Sequence, residues 1–191
     1  MKQLSLTIAF FLGVLSSTLA QPLTFGQQSI GISIGIPSMY DHAYTKQSPA
    51  ISALYEYGIS DKIGIGYIGV GGLLSLAGGE YNAPILSQSV SYKLSQTLIG
   101  PRAAYHFDMV DLTGNKDWQN LDVYSGAFLG LKFESAKYTE PNTSKKLKNN
   151  NTKLVTDLFA GIRYAFTPHI GAFGEIGFGV SYLSVGVSFR F

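Results

Sequence analysis

The sequence predicts an all-β fold, an eight-stranded antiparallel up-and-down β-barrel crossing a membrane, and three observations carry that prediction. The first is a period-2 pattern at the end of the chain. Leu183, Val185, Val187, Phe189 and Phe191 share one face, with Ser184, Gly186, Ser188 and Arg190 between them. In the preceding run, Ile170, Ala172, Gly174, Ile176, Phe178 and Val180 share a face, and the other is mostly glycine apart from Phe173 and Glu175. The second is the make-up of the weaker face. Small residues with sparse charges suit a narrow lumen, whereas a water-facing sheet would carry more Lys, Glu and Thr. The third is where the charges fall. Glu56, Arg102, Asp122, Lys132, Glu134, Asp157, Arg163, Glu175 and Arg190 all take the face opposite the large apolar residues. An Arg or Lys facing lipid at mid-bilayer would cost roughly 2–4 kcal/mol.

Composition agrees. The 191 residues are 46% hydrophobic and 14% charged, against roughly 25% charged in an average soluble domain. A net charge of +2 is too small to suggest nucleic acid, and no cysteine is present for a disulfide, a thiolate metal site or a Cys nucleophile. The N-terminus reads as a secretory signal over residues 1–20. Lys2 is the basic region, Leu4 to Leu15 the apolar core, and Thr18-Leu19-Ala20 the cleavage motif. Residues 21–191 then form one barrel domain, placed in the outer membrane of a bacterium.

A tilted spanning strand needs about 9–11 residues, and eight candidates follow. The first runs from Ser29 to Pro37, with Ile30, Ile32, Ile34 and Ile36 outward. The second, Ala50 to Ser60, turns Ile51, Ala53, Tyr55, Tyr57 and Ile59 outward. The third, Ile63 to Ala77, starts with Ile63, Ile65 and Tyr67 outward. The fourth, Leu94 to Phe107, contains Pro101, which lacks a ladder donor and suggests a bulge. The fifth, Leu121 to Tyr138, is the longest, and the sixth is Lys153 to Phe166. The C-terminal hairpin supplies the last two, joined at Ser181-Tyr182.

Short turns at Ser60–Lys62 and Thr167–His169, with the longer Asp108–Asn120, fall on the periplasmic side. Loops at Ser38–Ser48, Gly78–Lys93 and Thr139–Thr152 fall outside. Aromatics near strand ends fit two interfacial girdles, Tyr57, Tyr105, Phe107, Tyr164, Phe166 and Phe191 on the periplasmic side and Tyr81, Tyr92, Tyr138 and Tyr182 on the outer.

Taken together, Arg102-Ala-Ala-Tyr-His-Phe107, Asp122-Val-Tyr-Ser-Gly126, Leu129-Gly130, Gly171-Ala-Phe-Gly-Glu-Ile-Gly177, Tyr182-Leu183 and Val187-Ser-Phe-Arg-Phe191 resemble the small outer-membrane barrels of the OmpA/OmpX type. The likeness is greatest to the barrel-domain proteins common in Bacteroidetes. It implies that Phe189 and Phe191 form the terminal signal read by the barrel assembly machinery. It implies no single activity.

No motif carries catalysis. Gly64-Ile-Gly66-Tyr-Ile-Gly69 matches a dinucleotide fingerprint but sits in a strand with no helix after it. His42 follows Asp41 with Ser38 nearby, which keeps open an outer-leaflet lipid A-modifying enzyme, although neighbours in one loop rarely form a triad. Asp41 and His42 are two ligands where a metal takes three or four. His106 reads as a polar lumen residue, and His169 as a solvated turn residue. No catalytic, cofactor or metal site is expected. Lys145, Lys146, Lys148 and Lys153 in the third outer loop are candidates for contact with lipopolysaccharide or acidic surface polymers. The expected protein is a monomeric, non-enzymatic barrel with a structural or surface-interaction role and a lumen plugged by paired charges. A narrow pore is the alternative, with Gly64, Gly66, Gly126, Gly130, Gly161 and Gly177 as the lumen gaps. A soluble secreted barrel is the architectural rival.

Overall fold

Eight strands pair in sequence order and close on themselves. The structure, a computed structural model, describes residues 23–38, 46–85, 88–139 and 146–191. The strands are β1 (Gln28–Pro37), β2 (Lys46–Gly58), β3 (Gly66–Ile85), β4 (Gln88–Asp108), β5 (Leu121–Thr139), β6 (Lys146–Ala165), β7 (Ile170–Gly177) and β8 (Ser181–Arg190). A short helix α1 (Met109–Thr113) and a 3-10 turn at Lys116–Asn120 separate β4 from β5. Every pair is antiparallel, and β8 returns to β1. Leu23, where the described residues begin, Phe191 and the turns after β2, β4 and β6 lie at one end, the terminus end. The other is the loop end.

Alternation sets the register. A slip of one residue would exchange lumen and outer faces, so Ile30, Ile32 and Ile34 stand opposite Phe189, Val187 and Val185 across the closing seam. The outer face exposes a continuous apolar belt that includes Ile32, Leu74, Ile99, Leu131, Leu154, Leu158, Ile162 and Val187. So large an uncovered apolar surface is a membrane feature. Aromatic pairs close the belt at the terminus end, where Tyr105 and Phe107 lie 5.1 Å apart, Tyr164 and Phe166 5.5 Å, and Phe189 and Phe191 6.0 Å.

Several sequence expectations are corrected. The loop at Gly78–Lys93 is a strand hairpin that stays paired as far as Ile85 and Gln88. Likewise β6 starts at Lys146 and β5 ends at Thr139, so Lys146 and Lys148 lie on a strand and not in a loop, and Lys153, expected to open the sixth strand, lies well inside it. Lys145, Asp41, His42 and the signal segment fall outside the described residues. β3 to β6, with 20, 21, 19 and 20 residues, overshoot a bilayer and raise one wall of the barrel at the loop end. β7 and β8 have 8 and 10 and form the low wall. The last outer connection is residues 178–180, and Ser181 and Tyr182 already belong to β8.

Faces also change locally. Ile63 bridges to Gly66 around Gly64, whose φ of 63° needs glycine, and this turn resets the alternation. Tyr67 therefore pairs with His106 on the lumen side, while Gly66 pairs with the outward Phe107. Neither Gly64 nor Gly66 is a lumen gap. Val180 packs on the lumen cluster and not on the outer face. Pro101 makes no bulge. Ile99 faces Leu131 and Arg102 faces Phe128 in one register, with only the intervening pairs unbonded. Register shifts fall elsewhere, on β2 between Ser48 and Ile51 and on β1 between Ile36 and Pro37.

Candidate functional site

The lumen is where the charges meet. At its terminus end, alternation on five strands delivers Glu56 (β2), Arg102 and His106 (β4), Asp122 (β5), Arg163 (β6) and Glu175 (β7) to one level, and Arg190 (β8) joins them. Arg102 grips Glu175 with both terminal guanidinium nitrogens, Nη2 to Oε1 at 2.7 Å and Nη1 to Oε2 at 3.3 Å. The Tyr124 hydroxyl donates to the same Oε1 at 2.9 Å. Arg163 donates to Glu56 Oε2 at 2.8 Å and to Asp122 Oδ2 at 3.4 Å. Arg190 lies 3.6 Å from Asp122 Oδ2, and Arg102 lies 3.6 Å from Glu56 Oε1. The carboxylate of Asp122 can only accept, so His106 Nδ1 donates its hydrogen across 2.9 Å. The three carboxylates, Glu56, Asp122 and Glu175, balance the three guanidiniums, Arg102, Arg163 and Arg190. Charge balance offsets much of the cost of keeping these groups out of water, while Glu56 Oε1, Arg102 Nε and Arg163 Nε are buried without a hydrogen bond.

Rings and aliphatic side chains fill the remaining space. Arg102 lies 4.0 Å over the Phe159 ring and Arg163 lies 5.2 Å over Tyr124, both at cation–π range. Leu54, Leu73, Leu98, Tyr124, Phe128, Phe159 and Phe173 form a buried cluster inside the barrel. The sequence pattern marks Phe173 as an exception on this face but otherwise gives glycine, serine and charge, and the remaining members go unnamed there. Their signal was available, because each ring faces a glycine. Tyr124 covers Gly161, Phe159 covers Gly126, Phe128 covers Gly130, and Phe173 covers Gly31 and Gly186. Three of the glycines expected to leave gaps, Gly126, Gly130 and Gly161, are the seats of these rings. Gly177 is likewise covered by the Asp157 carboxylate. Two cavities among the lumen residues hold about 20 Å³ each, room for about one water.

Two further groups complete the lumen. Glu134, toward the loop end, accepts from Gln96 Nε2 at 2.8 Å and pairs with Lys132 at 3.3 Å and Lys153 at 3.1 Å. Lys153, expected at the surface, is thus engaged at the mouth. Asp157 is held by backbone, not by a cation. Its oxygens accept from the amides of Phe178, Gly179 and Val180 at 2.7, 2.8 and 3.1 Å and so fix the β7–β8 turn. Asp157→Ala will orphan those amides and cost about 2–3 kcal/mol, read as a lower urea midpoint with hydrogen exchange rising first at residues 178–180.

The terminus-end mouth is stoppered. Gly26, at φ 81°, turns the chain so that Leu23 is fully buried beside His106 and Gly69. Gly26 donates to Gly58 O and Gly58 donates to Gln27 O, both at 2.9 Å, which clamps the segment to β2. His169 is not simply solvated. Its Nδ1 lies 2.9 Å from Arg190 O, and its ring stacks on Phe189. Ser38, the serine near His42, donates to Gly179 O at 2.8 Å. Among the described residues no group of three metal-binding side chains occurs.

Residues 6–191 match the family model described as Outer membrane protein beta-barrel domain. Two solved structures share the fold. A major outer membrane protein from Thermus thermophilus is 13% identical over 86% of this chain and 99% of that one, with a TM-score of 0.61. Ail, the attachment invasion locus protein of Yersinia pestis, in complex with the heparin analogue sucrose octasulfate, is 14% identical over 88% and 100%, with a TM-score of 0.52. No curated protein matches the sequence.

Proposed function

The chain belongs to the outer membrane protein beta-barrel domain family, and from that premise we propose that it is a non-enzymatic outer-membrane barrel whose work is done at its surface. The observation that carries this reading is the filled lumen. A conducting path would have to pass Leu23, the Glu56–Asp122–Glu175 network and the Phe128–Phe159–Phe173 rings in turn. Eight strands leave an interior that side chains fill, and here they do so with paired charge and packed rings. The terminus end faces the periplasm, residues 1–20 are removed on export, and the barrel works as a monomer. Phe189 and Phe191, exposed at the end of β8, are the residues that the assembly machinery reads. The loop-end wall of β3 to β6 then meets the outer leaflet and the medium.

Planar-bilayer recording of the refolded protein tests this reading. Wild type and Glu175→Gln are both expected to be silent, with folding shown by heat-modifiable gel mobility. Reproducible conductance steps altered by Glu175→Gln would replace this reading with the narrow pore.

A further inference from the structure

The raised wall carries a line of lysines that the strand register assembles from distant parts of the sequence. Lys46 on β2 stands opposite Glu80 on β3, Glu80 opposite Lys93 on β4, Lys93 opposite Lys137 on β5, and Lys137 opposite Lys148 on β6. Residues directly opposite share a face, so the five form one row across five strands. At about 4.8 Å per strand the row spans about 19 Å. Its parity is that of Leu76, Ile99, Phe133 and Leu154, which places it on the outer, membrane-side face and not the lumen side. Four lysines and one glutamate leave a net charge of +3.

Such a row costs stability by itself. Like charges directly opposite repel, and Lys93–Lys137–Lys148 is two such pairs in succession. Glu80 offsets part of this. It lies 2.9 Å from Lys93, and its carboxyl is held below the ordinary range by that hydrogen bond, with Lys93 and Lys46 charge assisting. Lys137 and Lys148 have no carboxylate partner among the described residues and are exposed. Contrast Lys132 and Lys153 on the lumen side, which are also directly opposite but share Glu134. Among the described residues, the outer pair lacks the counter-charge that the inner pair has.

The position of the row says what supplies it. On every strand the row lies four to six residues past the last large apolar outward residue: Ile51, Leu76, Ile99, Phe133 and Leu154. At about 3.3 Å per residue and a tilt near 40°, that is roughly 10–15 Å above the belt, and lysine stems can reach back toward it. Between belt and lysines runs a row of small uncharged residues, Ser48, Gly78, Ser95, Ser135 and Asn150. One face thus offers an apolar strip, a gap and a cation row in the order of an amphiphile's tails, linker and anionic head. A soluble polyanion would have no use for the strip.

We propose that this row, Lys46, Lys93, Lys137 and Lys148, binds the phosphorylated headgroup of an outer-leaflet glycolipid whose acyl chains lie along the belt below. The proposal rests on the outer-membrane placement and adds a ligand class and a site to it. It also moves the cationic surface away from the loop to which the sequence assigned it.

Native mass spectrometry tests it on the full mature chain, as wild type and as the triple variant Lys93→Gln, Lys137→Gln, Lys148→Gln, folded in neutral detergent. The probes are bisphosphorylated lipid A, the same lipid dephosphorylated, and a heparin oligosaccharide. Wild type should retain bisphosphorylated lipid A at least about tenfold more tightly than the triple variant does. It should also prefer it over the dephosphorylated lipid, and lose that preference in salt. Equal retention by wild type and variant, or equal retention of both lipids by wild type, overturns the proposal. So does heparin binding that the variant loses while its lipid A binding stays intact, which would assign the row to a soluble polyanion. Failure of wild type to insert into phospholipid vesicles would show separately that the membrane placement is wrong.

Discussion

Replacing Arg163 with methionine will destabilise the barrel by about 3–5 kcal/mol, the scale for removing one partner of a buried ion pair. The guanidinium is the link between Glu56, at 2.8 Å, and Asp122, at 3.4 Å, and all three side chains are buried. Methionine keeps most of the length over the Tyr124 ring but leaves the two carboxylates with less cation than charge. Arg102 and Arg190 each stand 3.6 Å away and can take up only part of the load. The urea midpoint of heat-modifiable gel mobility reads the effect. The double variant Glu56→Gln, Arg163→Met should lose less than the two single variants summed, because each single variant strands the other's charge. An Arg163→Met midpoint equal to wild type would mean that the network is solvated and the lumen open to water. The exposed Lys62, which bridges Asp108 and Asp111 at the terminus-end turns, is the control. Its loss should move the midpoint little, as for most surface pairs.

The same contrast between inside and outside governs what the sequence could tell. Alternation named the outward residues on β1, β2, β6 and β8 because lipid demands an apolar side chain at every second position. The nine charges could be placed on the lumen face for the complementary reason. Their partners could not be named. Which carboxylate meets which guanidinium depends on the stagger between strands, and Glu56 and Arg163 are 107 residues apart. The strand ends at the loop side were hidden for a different reason. Asn149, Asn150 and Asn151 have turn chemistry, yet each pairs across to β5, at Ala136, Ser135 and Glu134. Pairing with a long neighbour overrides local preference there. The lysine row was invisible for the same reason: its five members are scattered from Lys46 to Lys148, and only the register lines them up.

Phe173→Ala will cost about 3–5 kcal/mol, the range for emptying the place of a buried ring, whereas Phe178→Ala will cost little. The two residues lie five apart near the end of the chain, and hydropathy alone ranks them equally. Phe173 is 5% exposed and Phe178 is 80% exposed, the first within the lumen and the second facing lipid. The Phe173 ring lies against Gly31 of β1 and Gly186 of β8, the two strands whose pairing closes the barrel. Its loss should therefore raise hydrogen exchange first along the β1–β8 seam, ahead of the β4–β5 pair. Gly31 supplies a test of sign. A methyl added there would come within 3.1 Å of Phe173 Cε1, with only side-chain atoms nearby. Gly31→Ala alone should destabilise modestly by pushing the ring. In the Phe173→Ala background the same methyl enters the space the ring has left, so the double variant should be more stable than Phe173→Ala alone. Additive losses would mean that the ring does not lie over Gly31, and the seam would then have to be held by its backbone ladder without the ring.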